Sequence, residues 1–267
     1  MIIFKQEFKS NFKSCMIWSF SVSILILMFM SFYTSFSKNA EAFNMIMANY
    51  PKAMLEAFGM SGVNLSEVAG YFTFTFLFVQ ICLAIQASNY GFAVLSLEER
   101  ERTADFLMVK PVKRISIITS KLLAAVSILT ITNIVVWIST FAFVELFRDG
   151  KTYDINIFLK MLSCIILFQL FFLAVGMVIS VSVKKIGSVL SYSMSLSFGL
   201  YIVSAFGSII GEKKLAYITP FKYFEMNYLV INGHYDRFMI FLCAGIITVS
   251  LVASYILYIK RNIHSAS

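Results

Sequence analysis

The residue types that do most enzyme chemistry are scarce in this chain and poorly spaced for it. Its two histidines, His234 and His264, fall in a polar stretch and near the C-terminus. No His-Glu-x-x-His run offers a zinc site and no Gly-x-Ser-x-Gly turn offers an activated serine. Cys15, Cys82, Cys164 and Cys243 sit in four different apolar segments without a Cys-x-x-Cys pair, so they read as packing side chains rather than disulfides or metal ligands. No Gly-x-x-x-x-Gly-Lys-Ser/Thr run is present, so no P-loop cradles a nucleotide here, and no cofactor is expected in the chain. What remains is hydrogen bonding: Gln80, Gln86, Asn89, Asn133 and Gln169 lie inside apolar runs. Such side chains either bond membrane helices to one another or line a pathway between them. Gln86 and Asn89, three residues apart, are the first candidates for the cytoplasmic mouth of a pathway.

The elements that hold these residues are membrane spans. The chain has 267 residues, 59% hydrophobic, 16% aromatic and 13% charged, which excludes a soluble domain. Six apolar segments near 15–36, 71–95, 115–147, 157–183, 187–211 and 238–260 can each cross a bilayer. Phe-Thr-Phe-Thr-Phe-Leu-Phe at 72–78 alternates like a strand, but its surroundings are long apolar helices rather than further strands of that kind. The expected fold is therefore an all-α integral membrane protein, a single transmembrane domain over residues 1–267. No Asp, Glu, Lys, Arg or His lies near a span midpoint, which argues against a proton-coupled carrier or an intramembrane protease. In the fifth span Gly187, Ser191, Ser195 and Gly199 recur every four residues, a small-residue ridge that permits close helix approach. It serves either packing within the chain or a surface that slides at a subunit interface, whereas Ser197 falls on another face.

Charge gives the orientation. With six spans, one side of the membrane receives 13 of the 22 Lys and Arg residues against five acids, and the other side receives nine of each. The basic side is expected to be cytoplasmic and to hold both termini, and the +8 balance therefore points to a membrane rather than to nucleic acid. Residues 1–14 alternate Phe4, Phe8 and Phe12 with Lys5, Lys9 and Lys13, the pattern of an elbow helix lying in the cytoplasmic interface. On the opposite side, Pro51 and Gly59 bracket a short amphipathic helix.

The densest charge is a loop at 96–114 between the second and third spans, with Lys121 beyond it. Glu98, Glu99, Arg100, Glu101, Arg102 and Asp105 precede an apolar stretch, Phe106-Leu107-Met108-Val109, and Pro111 stops the helix. Either this is a topogenic loop with an interfacial helix, or its 98–110 helix docks a soluble subunit.

The acids, Thr103, Phe106-Leu107, Pro111-Val112-Lys113-Arg114 and Lys121 resemble the cytoplasmic loop of type-two ATP-binding-cassette (ABC) exporter permeases. Arg102 and Phe106 stand where that family usually has Gly and Leu. The elbow, the Pro51–Gly59 segment and Thr219-Pro220-Phe221-Lys222-Tyr223 before the last span are similar as well, so the resemblance covers nearly the whole chain. It implies a coupling helix that meets an ATPase through Glu98, Glu99, Arg100, Arg102, Thr103, Phe106, Leu107 and Met108. It further implies two copies of that ATPase subunit, which bind the ATP and Mg. A second permease subunit completes the pathway, and the expected location is the bacterial plasma membrane. Gln86, Asn89, Asn133, Gln169, Gly187, Ser191, Ser195 and Gly199 are the pathway or packing candidates. Spans rich in Phe and Met without buried charge suit apolar or amphipathic cargo: a peptide toxin or bacteriocin, a lipid or a drug. The rival reading is a non-transporting polytopic protein, a sensor or assembly factor.

Overall fold

Hydrocarbon offers no water to backbone amides, so a crossing segment must satisfy them within itself, and the apolar runs do so as helices. The computed structural model describes residues 2–39, 45–100, 113–183 and 186–260. The six expected spans lie in α1 (Ile2–Lys38), α3 (Val68–Arg100), α4 (Arg114–Phe147), α5 (Ile155–Ser182), α6 (Val189–Ile210) and α9 (Arg237–Lys260). Between them lie α2 (Lys52–Ala57), a 3-10 turn at Lys213–Tyr217, α7 (Pro220–Tyr223) and α8 (Met226–Asn232). The helix expected between Pro51 and Gly59 is α2, with Phe58 and Gly59 closing it.

The basic N-terminal stretch is helical from Ile2 and forms the first turns of a 37-residue α1 that runs unbroken into the span. No Gly or Pro interrupts this stretch, and an ion pair holds its start against α4. Glu7 Oε1 lies 3.0 Å from Lys121 Nζ, whose side chain is 3% exposed. At about 1.5 Å per residue α1 is about 55 Å long, well beyond the roughly 30 Å of hydrocarbon, so its basic turns project at one end. Phe4, Phe8 and Phe12 stack along it, with ring centroids 6.0 and 5.9 Å apart.

Contacts fix the arrangement. Glu7 meets Lys121 and Ser23 meets Ser139, so α1 and α4 run parallel, both starting at the same end. α3 and α5 form the centre, also parallel, with Phe72 against Phe158 and Phe92 beside Ser180. Where they cross, backbone meets backbone. A Cβ added at Gly91 would lie 2.5 Å from the Leu173 carbonyl oxygen, and one at Gly176 would lie 3.1 Å from that of Ser88. α6 packs antiparallel on α3 and α9 flanks α5, while Arg114 reaches the Ile259 carbonyl at 3.0 Å. Lys5, Lys9, Lys13, Lys113, Arg114, Lys121 and Lys260 thus gather at one end of the bundle, with Glu7 among them.

At the other end the segment before α9 turns inward. Pro220, as first residue of α7, supplies a preset φ and lacks an amide that would go unpaired there. Phe221, Tyr223, Phe224, Met226 and Leu229 are buried, and Phe221 packs against Phe168, Phe172 and Tyr201. Gln80 donates to the Phe224 carbonyl at 3.2 Å, which ties this hairpin to α3. Tyr223 donates to the Tyr217 carbonyl at 2.6 Å, and burial, with Cys243 nearby, pushes its phenol up to about 12.

Candidate functional site

Buried polar side chains of three neighbouring helices meet around Thr132 of α4. Its Oγ1 accepts from Gln86 Nε2 of α3 at 2.8 Å and from Ser19 Oγ of α1 at 3.4 Å. Cys15 Sγ lies 3.6 Å from the same oxygen and donates to the Ile128 carbonyl. Gln169 Nε2 of α5 donates to Gln86 Oε1 at 3.3 Å. One network therefore joins α1, α3, α4 and α5. Each such bond between membrane helices contributes about 0.6 kcal/mol on average, so the network sets register more than it supplies stability. Gln169 Oε1 and Asn133 Oδ1 have no hydrogen-bond partner among the described residues, although both side chains are buried.

Two of the sequence candidates part company here. Gln86 has no exposed surface and sits inside the contact of the four helices. Asn89, one turn on, is half-buried and stays outside the network. Gln169 joins, whereas Asn133 lies beside Thr132 without joining. Sequence reasoning passed over Thr132 itself. The signal was in α1, where Cys15, Ser19 and Ser23 recur every four residues and face Thr132 and Ser139.

The small-residue ridge lies on the outside. Gly187 precedes α6, which starts at Val189 after the Ser188 cap. Ser191, Ser195 and Gly199 are exposed, and a Cβ at Gly187 or Gly199 would meet nothing within 4 Å. The other serine face is the packed one. Ser193, Ser197 and Ser204 are buried, and Ser197 Oγ lies 3.3 Å from Ser88 Oγ of α3. Packing within the chain is thus carried by Ser197 and not by the ridge. The close glycine contact belongs to Gly91 and Gly176.

The family model for the ABC-2 family transporter protein matches residues 1–263. The chain belongs to this ABC-2 family. Comparison with curated proteins gives no significant match. Membership makes the chain a membrane permease component of an ABC transporter, the part that works with an ATPase subunit and is not itself that ATPase. In this ABC-2 permease the coupling candidates divide at Arg100. Glu98, Glu99 and Arg100 lie within α3, the last described residues before the loop. Arg102, Thr103, Phe106, Leu107 and Met108 lie outside the described residues.

Proposed function

We propose that this ABC-2 permease exports an apolar or amphipathic molecule, of the kind of a peptide toxin, bacteriocin, lipid or drug, by alternating access. Two ATPase subunits bind ATP and Mg and dock on the 98–110 region, with Phe106 and Leu107 as apolar anchors. Both termini are cytoplasmic and the membrane is the plasma membrane. A second permease subunit, identical or related, faces this one. The exposed α6 ridge of Ser191, Ser195 and Gly199 is the surface suited to close approach by another helix.

The observation that supports this most directly is the collection of basic residues at one bundle end, in a chain matched over residues 1–263 by a transporter family. The positive-inside rule puts that end in the cytoplasm, where an ATPase can reach the 98–110 region. Among the described residues the spans offer cargo no buried charge beyond Lys121, which Glu7 neutralises.

The test is co-purification with the cognate ATPase and ATP turnover in nanodiscs at matched expression. Phe106→Ala and Leu107→Ala are each expected to weaken assembly by about 2 kcal/mol, as truncated interface anchors do, while leaving insertion intact. Wild-type values for both readouts would end the coupling assignment. A stimulation screen with peptides, lipids and drugs on the same complex identifies the cargo.

A further inference from the structure

Away from the basic end, a partly open cavity of about 40 Å³ lies between α2, α3, α6 and the α7–α8 hairpin. Its wall includes Glu56, Thr73, Gln80, Lys222, Glu225 and Asn227. Most of these groups are already engaged. Thr73 Oγ1 donates to the Gly59 carbonyl at 2.9 Å, Gln80 to the Phe224 carbonyl, and Lys222 Nζ contacts both Glu225 oxygens at 3.1 Å.

Asn227 is different. It is 4% exposed, it lines the cavity, and neither its Oδ1 nor its Nδ2 has a hydrogen-bond partner among the described residues. An amide buried without a protein partner is costly unless something in the cavity pairs with it, and here one acceptor and two donors are left to pair. Glu56, half-buried in the same wall, has no ion-pair partner among the described residues either. With Lys222 neutralised by Glu225, the wall carries one net negative charge, on Glu56.

We infer that this cavity is a binding site for a small cationic group that also carries an amide, such as the ammonium and adjacent carboxamide of a peptide-like end. The amide pairs with Asn227, donor to acceptor and acceptor to donor, and the ammonium pairs with Glu56. A cavity of this size holds a few heavy atoms and not a whole cargo molecule. Only a terminal group enters, and the remainder of a larger ligand stays outside. The partly exposed Glu225, with 27% of its side chain accessible, marks the rim. The site lies at the opposite end of the bundle from the coupling region, and its chemistry does not depend on the identity of the exported cargo.

Glycinamide, which combines both groups, is the probe. Titrated onto the full-length chain in nanodiscs and followed by saturation-transfer NMR, it is expected to bind saturably. Glu56→Gln and Asn227→Leu are each expected to weaken binding about tenfold or more, since each removes a partner of a charged or buried polar group. Acetate is expected not to compete. Glu56→Gln alters a partly exposed side chain of a short helix, so it decides the matter if Asn227→Leu fails to fold. Non-saturable glycinamide signal, or equal binding by wild type and Glu56→Gln, overturns the site. Competition by acetate as strong as by glycinamide does so too, because it makes Lys222 the recognising group.

Discussion

Ser195 and Ser197 lie two residues apart on α6 in opposite surroundings. Ser197 is fully buried against Ser88, and Ser195 faces outward. Ser197→Leu forces extra volume into a closed helix contact, and about 1–3 kcal/mol of destabilisation is expected. Ser195→Leu is expected to leave the single chain within about 0.5 kcal/mol of wild type. Thermal unfolding of the purified chain in detergent checks both, and the reverse order would contradict the packing of α6. The spacing in the sequence makes the opposite choice, because Gly187, Ser191, Ser195 and Gly199 form the more regular series. Small and weakly polar residues occupy both faces of this helix, so composition does not separate the buried face from the exposed one. The amides were legible because they interrupt apolar runs. Thr132 was not, because a threonine in a span bonds its own helix as readily as a neighbour.

At the scale of the element, the crossing of α3 and α5 depends on Gly91 and Gly176. Gly91→Ala puts a methyl 2.5 Å from the Leu173 carbonyl oxygen, a backbone atom that cannot swing aside. The helices must separate, and about 1–3 kcal/mol of stability is expected to be lost. Gly245→Ala in α9 meets nothing within 4 Å and is expected to be neutral or to stabilise by up to about 1 kcal/mol through helix propensity. Unfolding of the two variants side by side in one detergent reads this difference, and equal stability would exclude the tight crossing. The existence and rough extent of the six long helices were legible, since 20-residue apolar runs have few alternatives. That the N-terminal stretch continues into the span without a break was not legible, because an amphipathic stretch flanking a span has the same pattern whether it bends or continues straight. The deciding contact, Glu7 with Lys121, joins residues far apart in sequence. The inward α7–α8 hairpin was hidden for a similar reason. Its Thr219-Pro220-Phe221 start reads as a loop until Phe168, Phe172 and Tyr201 are brought around it.

For the whole molecule, the charge asymmetry is the feature most directly legible from sequence, because it depends on counting rather than on packing. In a variant lacking Cys15, Cys82, Cys164 and Cys243, single cysteines from Asn49→Cys and Ser267→Cys are expected to label from opposite sides with an impermeant reagent. Labelling from the same side would refute six crossings with both termini in the cytoplasm.

α3 runs for 33 residues from Val68 to Arg100, about 50 Å, and contains no proline. Its closest approach to another long helix, at Gly91, is not at its middle. The arm from Gly91 to Arg100 is nine residues long, about 14 Å, and the arm from Gly91 to Thr73 is eighteen, about 27 Å. In mechanical terms the helix is a lever with unequal arms and its fulcrum at the Gly91–Gly176 crossing. For a rigid tilt around that crossing, about 1 Å at Arg100 would correspond to about 2 Å in the opposite direction at Thr73. The cavity beside Thr73 and Gln80 is then the long-arm end of the same beam whose short arm carries Glu98, Glu99 and Arg100.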